Sequence, residues 1–223
     1  MKLSAEDAYK LLVKDVISTA DDFLEDKNRW VKHCLFVGVA AGRIAEKIGV
    51  DDDFAEACGF IHDIGRKISH EYHVVDGYYY LKKKGYDEMA RYCLTHSYID
   101  NDVQLTAGGP VKLETAKVVV PYLEDKPANI YDNIIQLCDL FCSEEGFTTI
   151  EKRLLDITNR KGIYSNSYEH FRSVLDLKQK IECMMGCDLY SLFPEISHDD
   201  LKNIPSDYLQ LKNLLTKPVV KKG

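Results

Sequence analysis

The pair His62-Asp63, inside the run Gly59-Phe60-Ile61-His62-Asp63-Ile64-Gly65-Arg66-Lys67, sets an imidazole beside a carboxylate in an otherwise apolar stretch. Those are donor types that a divalent transition metal takes. An ionised aspartate among apolar neighbours is costly unless a cation neutralises it. His33 lies upstream of the pair, and His73, His96 and Asp139 lie downstream. Six side chains of this kind suffice for one closed metal site, or for two sites that share Asp63. The leading expectation is a metal-dependent hydrolase.

Spacing sharpens the list. His62 and Asp63 are about 100° apart on an ideal helix, so both reach one cation only if the backbone loosens there, and Gly65 permits that. Asp139 is flanked by Ile134, Ile135, Leu137, Cys138, Leu140 and Phe141. A carboxylate in those surroundings must be paired or metal-bound, unless Asp132, Gln136 and Asp139 form a polar stripe toward water. His33 falls on the apolar side of its helix, which also suits a core histidine bonded to a carbonyl. His96 follows Met89 and Cys93 at helical spacing and points inward with them. His73 and Gly77 lie one turn apart, and a glycine there lets the helix approach the site closely. Together His73 and His96 favour a second ion.

Helical periodicity must position these groups, because period-2 strands are scarce. Trp30, Cys34, Val37, Ala41, Ile44 and Ile48 describe an amphipathic helix ending near Gly49. Asp53 with Glu56 reads as an acidic N-cap for a helix carrying Phe54, Ala57, Cys58 and Ile61 toward His62. Further helices are expected over Glu71–Lys84, Asp87–His96, Asn129–Ser143, Ser167–Met185 and Asp199–Leu215, with a short segment over Leu113–Leu123. Thr148 and Glu151 resemble a capping box for a helix through Ile150, Leu154 and Ile157. Asp100–Pro110 reads as a loop. The fold class is all-α: an N-terminal helix (1–27), a metal-binding core (28–145), a C-terminal helical extension packed on that core (146–215) and a flexible tail (216–223).

Composition narrows the partners. The chain has 223 residues, 45% hydrophobic and 29% charged, as expected of an ordinary globular domain. Twenty-nine Lys and Arg against 36 Asp and Glu give a net charge of -7. No basic field is available to displace counterions, which argues against polymeric nucleic acid, although a local patch could grip a small phosphate. The acidic start is unlike a secretory signal, and no apolar stretch approaches membrane-spanning length. Seven cysteines, an odd number set mostly in helical patterns, fit reduced thiols in a cytoplasm. A monomer or homodimer suits such a chain.

In order and spacing, His33, His62-Asp63 and Asp139 resemble the H…HD…D pattern of the HD-domain superfamily of metal-dependent phosphohydrolases, in the subgroup bearing the HDIG signature. His73-x-x-x-Gly77 and His96 are similar to the added histidines of its binuclear branches. The resemblance covers about residues 28–143 and implies an HD helical bundle. It implies one ion on His33, His62 and Asp139, another on His73 and His96, and Asp63 shared between them as the catalytic carboxylate. The implied ions are divalent transition metals, iron or manganese first, with cobalt, nickel and zinc compatible. A water activated at the ions would attack phosphorus. Arg66 and Lys67 are the candidates to bind the phosphate of a small, nucleotide-like substrate; the alternative is helix C-terminal charge. The chain lacks the Gly-Tyr-Pro signature of cyclic-di-GMP enzymes after His96. It also lacks the acidic-Pro-Arg segment that dinucleoside-polyphosphate hydrolases carry after Asp139. Two other functions stay open: a di-iron oxygenase of the same fold, and a non-catalytic nucleotide-binding module.

Remaining features have plainer readings. His70 could donate a proton but suits a surface loop. Cys183 and Cys187 lack zinc-knuckle spacing, and Cys138 with Cys142 suits core filling. Tyr78-Tyr79-Tyr80 suits aromatic packing, and Lys82-Lys83-Lys84 a solvated helix end.

Overall fold

One long helix organises the structure. In the computed structural model, which describes residues 1–17, 24–107 and 109–193, α2 (Leu24–Ile48) buries Val31, Cys34, Leu35, Val37, Ala41 and Ile44. Phe36, Val39 and Ala40 are buried as well. That apolar surface is wider than one stripe, so α2 runs through the core rather than along its surface. α1 (Ala5–Ile17) and α3 (Asp52–Ile61) pack together against it, with Tyr9, Leu12 and Phe60 fully buried between them.

The α2–α3 crossing is set by two glycines. A Cβ on Gly59 would lie 2.5 Å from the Gly38 Cα, and one on Gly38 would lie 2.3 Å from the Phe60 ring. Only glycine on both sides lets the backbones meet, and that contact fixes His33 on α2 relative to His62 at the end of α3.

The cap of α3 differs from expectation. Asp51, not Asp53, is the N-cap, accepting from the Phe54 N–H at 3.0 Å. Asp53 instead accepts from the Ala5 N–H at 3.1 Å and ties α1 to α3. Three consecutive aspartates offer the same chemistry, and the tertiary contact with α1 decides between them.

After a 3₁₀ turn, Ile64–Lys67, α4 (His73–Lys83) and α5 (Asp87–Thr95) form an antiparallel pair turned at Gly85. α6 (Leu113–Asp125) covers the pair through a small second core of Val74, Leu94, Tyr98, Val119 and Leu123. α7 (Ile130–Phe141) opens with a capping box in which Asn129 and Asp132 bond reciprocally. The polar stripe on α7 does not face water, so that alternative falls. Asp132 and Gln136 are fully buried. Asp132 receives Arg91 Nε at 3.0 Å and the Thr95 hydroxyl at 2.8 Å. The Gln136 amide donates to the carbonyls of Thr95 and Tyr98 at 3.0 and 2.7 Å.

α7 ends at Phe141, short of the expected Ser143. Among the described residues the β structure is a two-residue pairing of β1 (Cys142–Ser143) with β2 (Gly146–Phe147). α8 (Ile150–Lys161) follows, with Thr149 as its N-cap rather than Thr148, accepting from the Lys152 N–H at 3.2 Å. α9 (Ser167–Met185) packs against α7 and buries Val174, Leu177 and Ile181. The Asn166 amide bonds the carbonyls of Gln104 and Thr106, fastening the start of α9 to the loop before α6. The fold class is all-α. The expected helix Asp199–Leu215 and the tail 216–223 lie outside the described residues.

Candidate metal centre

Five helices deliver the six candidate ligands to one place. His33 projects from α2, His62 caps the end of α3, and Asp63 is the first residue off that helix. His73 opens α4, His96 follows α5, and Asp139 lies in the last turn of α7. The backbone does loosen between His62 and Asp63: φ/ψ pass from −54/−37 to −103/12 as the α-helix gives way to the 3₁₀ turn. Both side chains therefore face the same point.

His73 approaches through a second glycine contact. A Cβ on Gly65 would lie 2.0 Å from the His73 carbonyl oxygen and 2.4 Å from the Gly77 nitrogen. Gly65 and Gly77 thus let α4 rest on the 3₁₀ turn.

The distances define two overlapping groups. His33 Nε2 is 2.8 Å from Asp139 Oδ1, and His62 Nε2 is 3.8 Å from both Asp139 Oδ1 and Asp63 Oδ2. His73 and His96 place Nε2 at 3.3 and 3.4 Å from Asp63 Oδ1. The donor atoms of His33, His62 and Asp139 lie within 4.8 Å of one another, as do those of His62, Asp63 and His96, so either trio could hold an ion.

Three imidazoles are oriented from behind. His62, His73 and His96 place Nδ1 at 2.7, 2.9 and 3.1 Å from the carbonyls of Gly59, His70 and Tyr92. A carbonyl only accepts, so Nδ1 carries the proton and Nε2 keeps a lone pair aimed inward, as metal-ligating histidines are held. His33 differs. Its Nε2 faces Asp139, and its Nδ1 is buried without a hydrogen bond.

Burial alone would raise the Asp63 carboxyl, but Arg66, His73 and His62 hold it well below the usual carboxylate range. Asp139 is likewise held low against its burial by His33 and His62. Burial drives His73 down to about 3, so its ring is neutral at pH 7. Burial would also lower His62, but Asp63 and Asp139 together raise it. Two buried atoms at the centre, His62 Nε2 and Asp63 Oδ1, make no hydrogen bond.

Five of the six, His33, Asp63, His73, His96 and Asp139, line a cavity of about 570 Å³, while His62 is fully buried and does not. Arg66 lines it and gives its Nε–H to Asp63 Oδ2. His70 also lines it. Lys67, expected beside Arg66 on the phosphate, does not line it. Its Nζ lies 4.6 Å from the centre of the Tyr80 ring, because the 3₁₀ turn sends successive side chains to different faces. Sequence reasoning missed the rest of the charged lining: Arg29 from α2, Arg153, Asp156, Arg160 and Lys161 from α8, and His170 from α9. The signal was present, since Arg153, Asp156 and Arg160 recur at i, i+3, i+7 on one face of a helix.

Residues 30–143, just over half of the chain, match the HD domain. The chain belongs to the HD domain family. HD domains bind divalent metals and are generally hydrolases, with some non-catalytic members. A 41-residue stretch is 46% identical to Ribonuclease Y of Rhodopirellula baltica, covering 18% of this chain and 8% of that protein. No solved structure matches the chain. Among the described residues no helix is long and apolar enough to cross a membrane.

Proposed function

We propose that this HD protein is a metal-dependent phosphohydrolase acting on a nucleotide or another small phosphoester, with Asp63 as its catalytic carboxylate. One observation carries the reading: Asp63 Oδ1, on a residue that lines the cavity, and His62 Nε2, on a neighbouring side chain 3.8 Å from the other Asp63 oxygen, are both buried without a hydrogen bond. Buried polar atoms are nearly always paired, and a divalent cation suits two lone-pair donors facing one space.

His33, His62, Asp63 and Asp139 would hold one ion, and His73, His96 and Asp63 a second, with iron or manganese first. Such ions supply Lewis acidity toward a phosphoryl oxygen and lower the pKa of water. The chain's own groups do the positioning. Arg66 anchors the ionised Asp63 through one oxygen and presents the rest of its guanidinium to the cavity, where a phosphate oxygen can accept from it. The carbonyls of Gly59, His70 and Tyr92 fix three imidazoles so that no rotation is needed to present Nε2.

The similarity to a ribonuclease supports phosphoester cleavage, while the net charge of -7 favours a small substrate over a polymer. The same reading divides the chain into an N-terminal segment (1–27), an HD core (28–145) and an extension (146–215), of which α8 and α9 line the cavity, working as a monomer or homodimer in the cytoplasm. The test is phosphate release from a panel of nucleotides and simple esters by protein reconstituted with manganese or, anaerobically, with iron. Turnover that His62→Ala and Asp63→Asn abolish, with the helical circular dichroism kept, is expected. A metal-loaded protein inert across the panel overturns the proposal.

A further inference from the structure

The part of the cavity lining supplied by α8 lies beyond the segment that matches the HD domain, and its charges do not cancel. On α8, Asp156 Oδ2 accepts from Arg153 Nη1 at 3.0 Å and from Arg160 Nη2 at 2.8 Å, and Arg160 Nε is 3.2 Å from the other carboxylate oxygen. One carboxylate thus braces two guanidinium groups. Lys161, the next residue on this wall, makes no ion pair among the described residues. Arg153 Nε is buried without an acceptor. The α8 side therefore keeps an excess of about two positive charges, with one guanidinium N–H lacking a partner, on the same cavity that the candidate ligands line.

From this geometry we infer that α8 forms a second anion subsite, so that the substrate carries a phosphate or diphosphate group in addition to the ester that reacts. The inference rests on the function proposed above for the metal centre. Arg160 and Lys161 grip the distal group, and Asp156 holds the guanidinium groups in a fixed fork, which a lone flexible cation would not provide. The subsite sets specificity by charge number. A substrate with a single phosphate can engage only one of the two groups at a time.

Arg160 and Lys161 are at the surface, so Arg160→Gln and Lys161→Gln can be made without disturbing the core. Isothermal titration of full-length protein with pyrophosphate in excess chelator reads the subsite without any metal. Wild type is expected to bind, with each variant weakening binding ~10-fold and the double variant more, as loss of one charge-assisted contact implies. In the metal-loaded enzyme, KM for a nucleoside diphosphate should rise in the variants by a similar factor while kcat holds. Wild-type affinity in the double variant, or no binding by wild type, overturns the subsite. The proposed hydrolysis fails separately, through absence of turnover in the loaded enzyme, and the chelated titration still decides the subsite in that case.

Discussion

Replacing Gly65 by alanine tests how the second half of the site is assembled. The new Cβ would sit 2.0 Å from the His73 carbonyl oxygen and 2.4 Å from the Gly77 nitrogen, both backbone atoms that no rotamer change can move. Restoring ordinary contact demands that α4 retreat by about 1 Å or more. His73 Nε2 starts only 3.3 Å from Asp63 Oδ1. Metal sites tolerate ligand displacements of roughly ±0.2 Å, so a shift of that size removes His73 from any shared ion. Gly65→Ala is expected to cost about 1–3 kcal/mol of stability, as overpacking does. It should also weaken the His73–His96 ion by at least ~10-fold while the His33–His62–Asp139 ion is retained. Titration of the chelated protein with manganese, with metal content measured after gel filtration, reads both sites. Gly77→Ala, whose Cβ would meet Cys93 Sγ at 3.0 Å, should give a milder form of the same defect. Unchanged stoichiometry, affinity and Tm in Gly65→Ala would show that the Gly65–His73 contact does not position the second ion's ligands.

Three further outcomes follow from the same structure. Chelation should lower Tm and manganese should restore it by mass action, the difference vanishing in His62→Ala when followed by calorimetry. Asp132→Ala should destabilise by about 3–5 kcal/mol in urea melts, because Arg91 and Thr95 lose a fully buried acceptor. Metal stoichiometry should be unchanged in that variant. Burial and Lys161 lower His170 to about 4 from an ordinary 6.5. Between those values the unfolded chain binds a proton that the folded protein does not, so stability present above pH 6.5 is lost as pH falls toward 4. The loss amounts to about 3 kcal/mol, and His170→Gln should flatten that limb of a pH series of urea melts.

The six ligand types were legible in the sequence because each carries chemistry that an apolar helix does not explain away, Asp139 most clearly. The helices around them were legible from apolar spacing, as in α2 and α3. The caps were not, since Asp51 to Asp53 and Thr148 to Thr149 offer neighbouring side chains of equal propensity, and only contacts such as Ala5 with Asp53 choose among them. The partners of Asp132 and Gln136 stayed unread, and a solvent-facing stripe stayed open as an alternative, because Arg91 and Thr95 lie on α5, about 40 residues away in sequence. Lys67 shared its prospects with Arg66 until the 3₁₀ turn separated their directions. The wall on α8 went unread for a similar reason. Arg153, Asp156, Arg160 and Lys161 look like any solvated helix face until α8 and α9 fold back over α7.

Crystals of the manganese-loaded protein, measured at the manganese absorption edge, locate the ions themselves. Anomalous peaks at roughly 2.0–2.3 Å from the Nε2 atoms of His62 and His96 and the oxygens of Asp63 and Asp139 are the predicted result. A fully loaded crystal with no peak among those side chains would rule out a metal centre there.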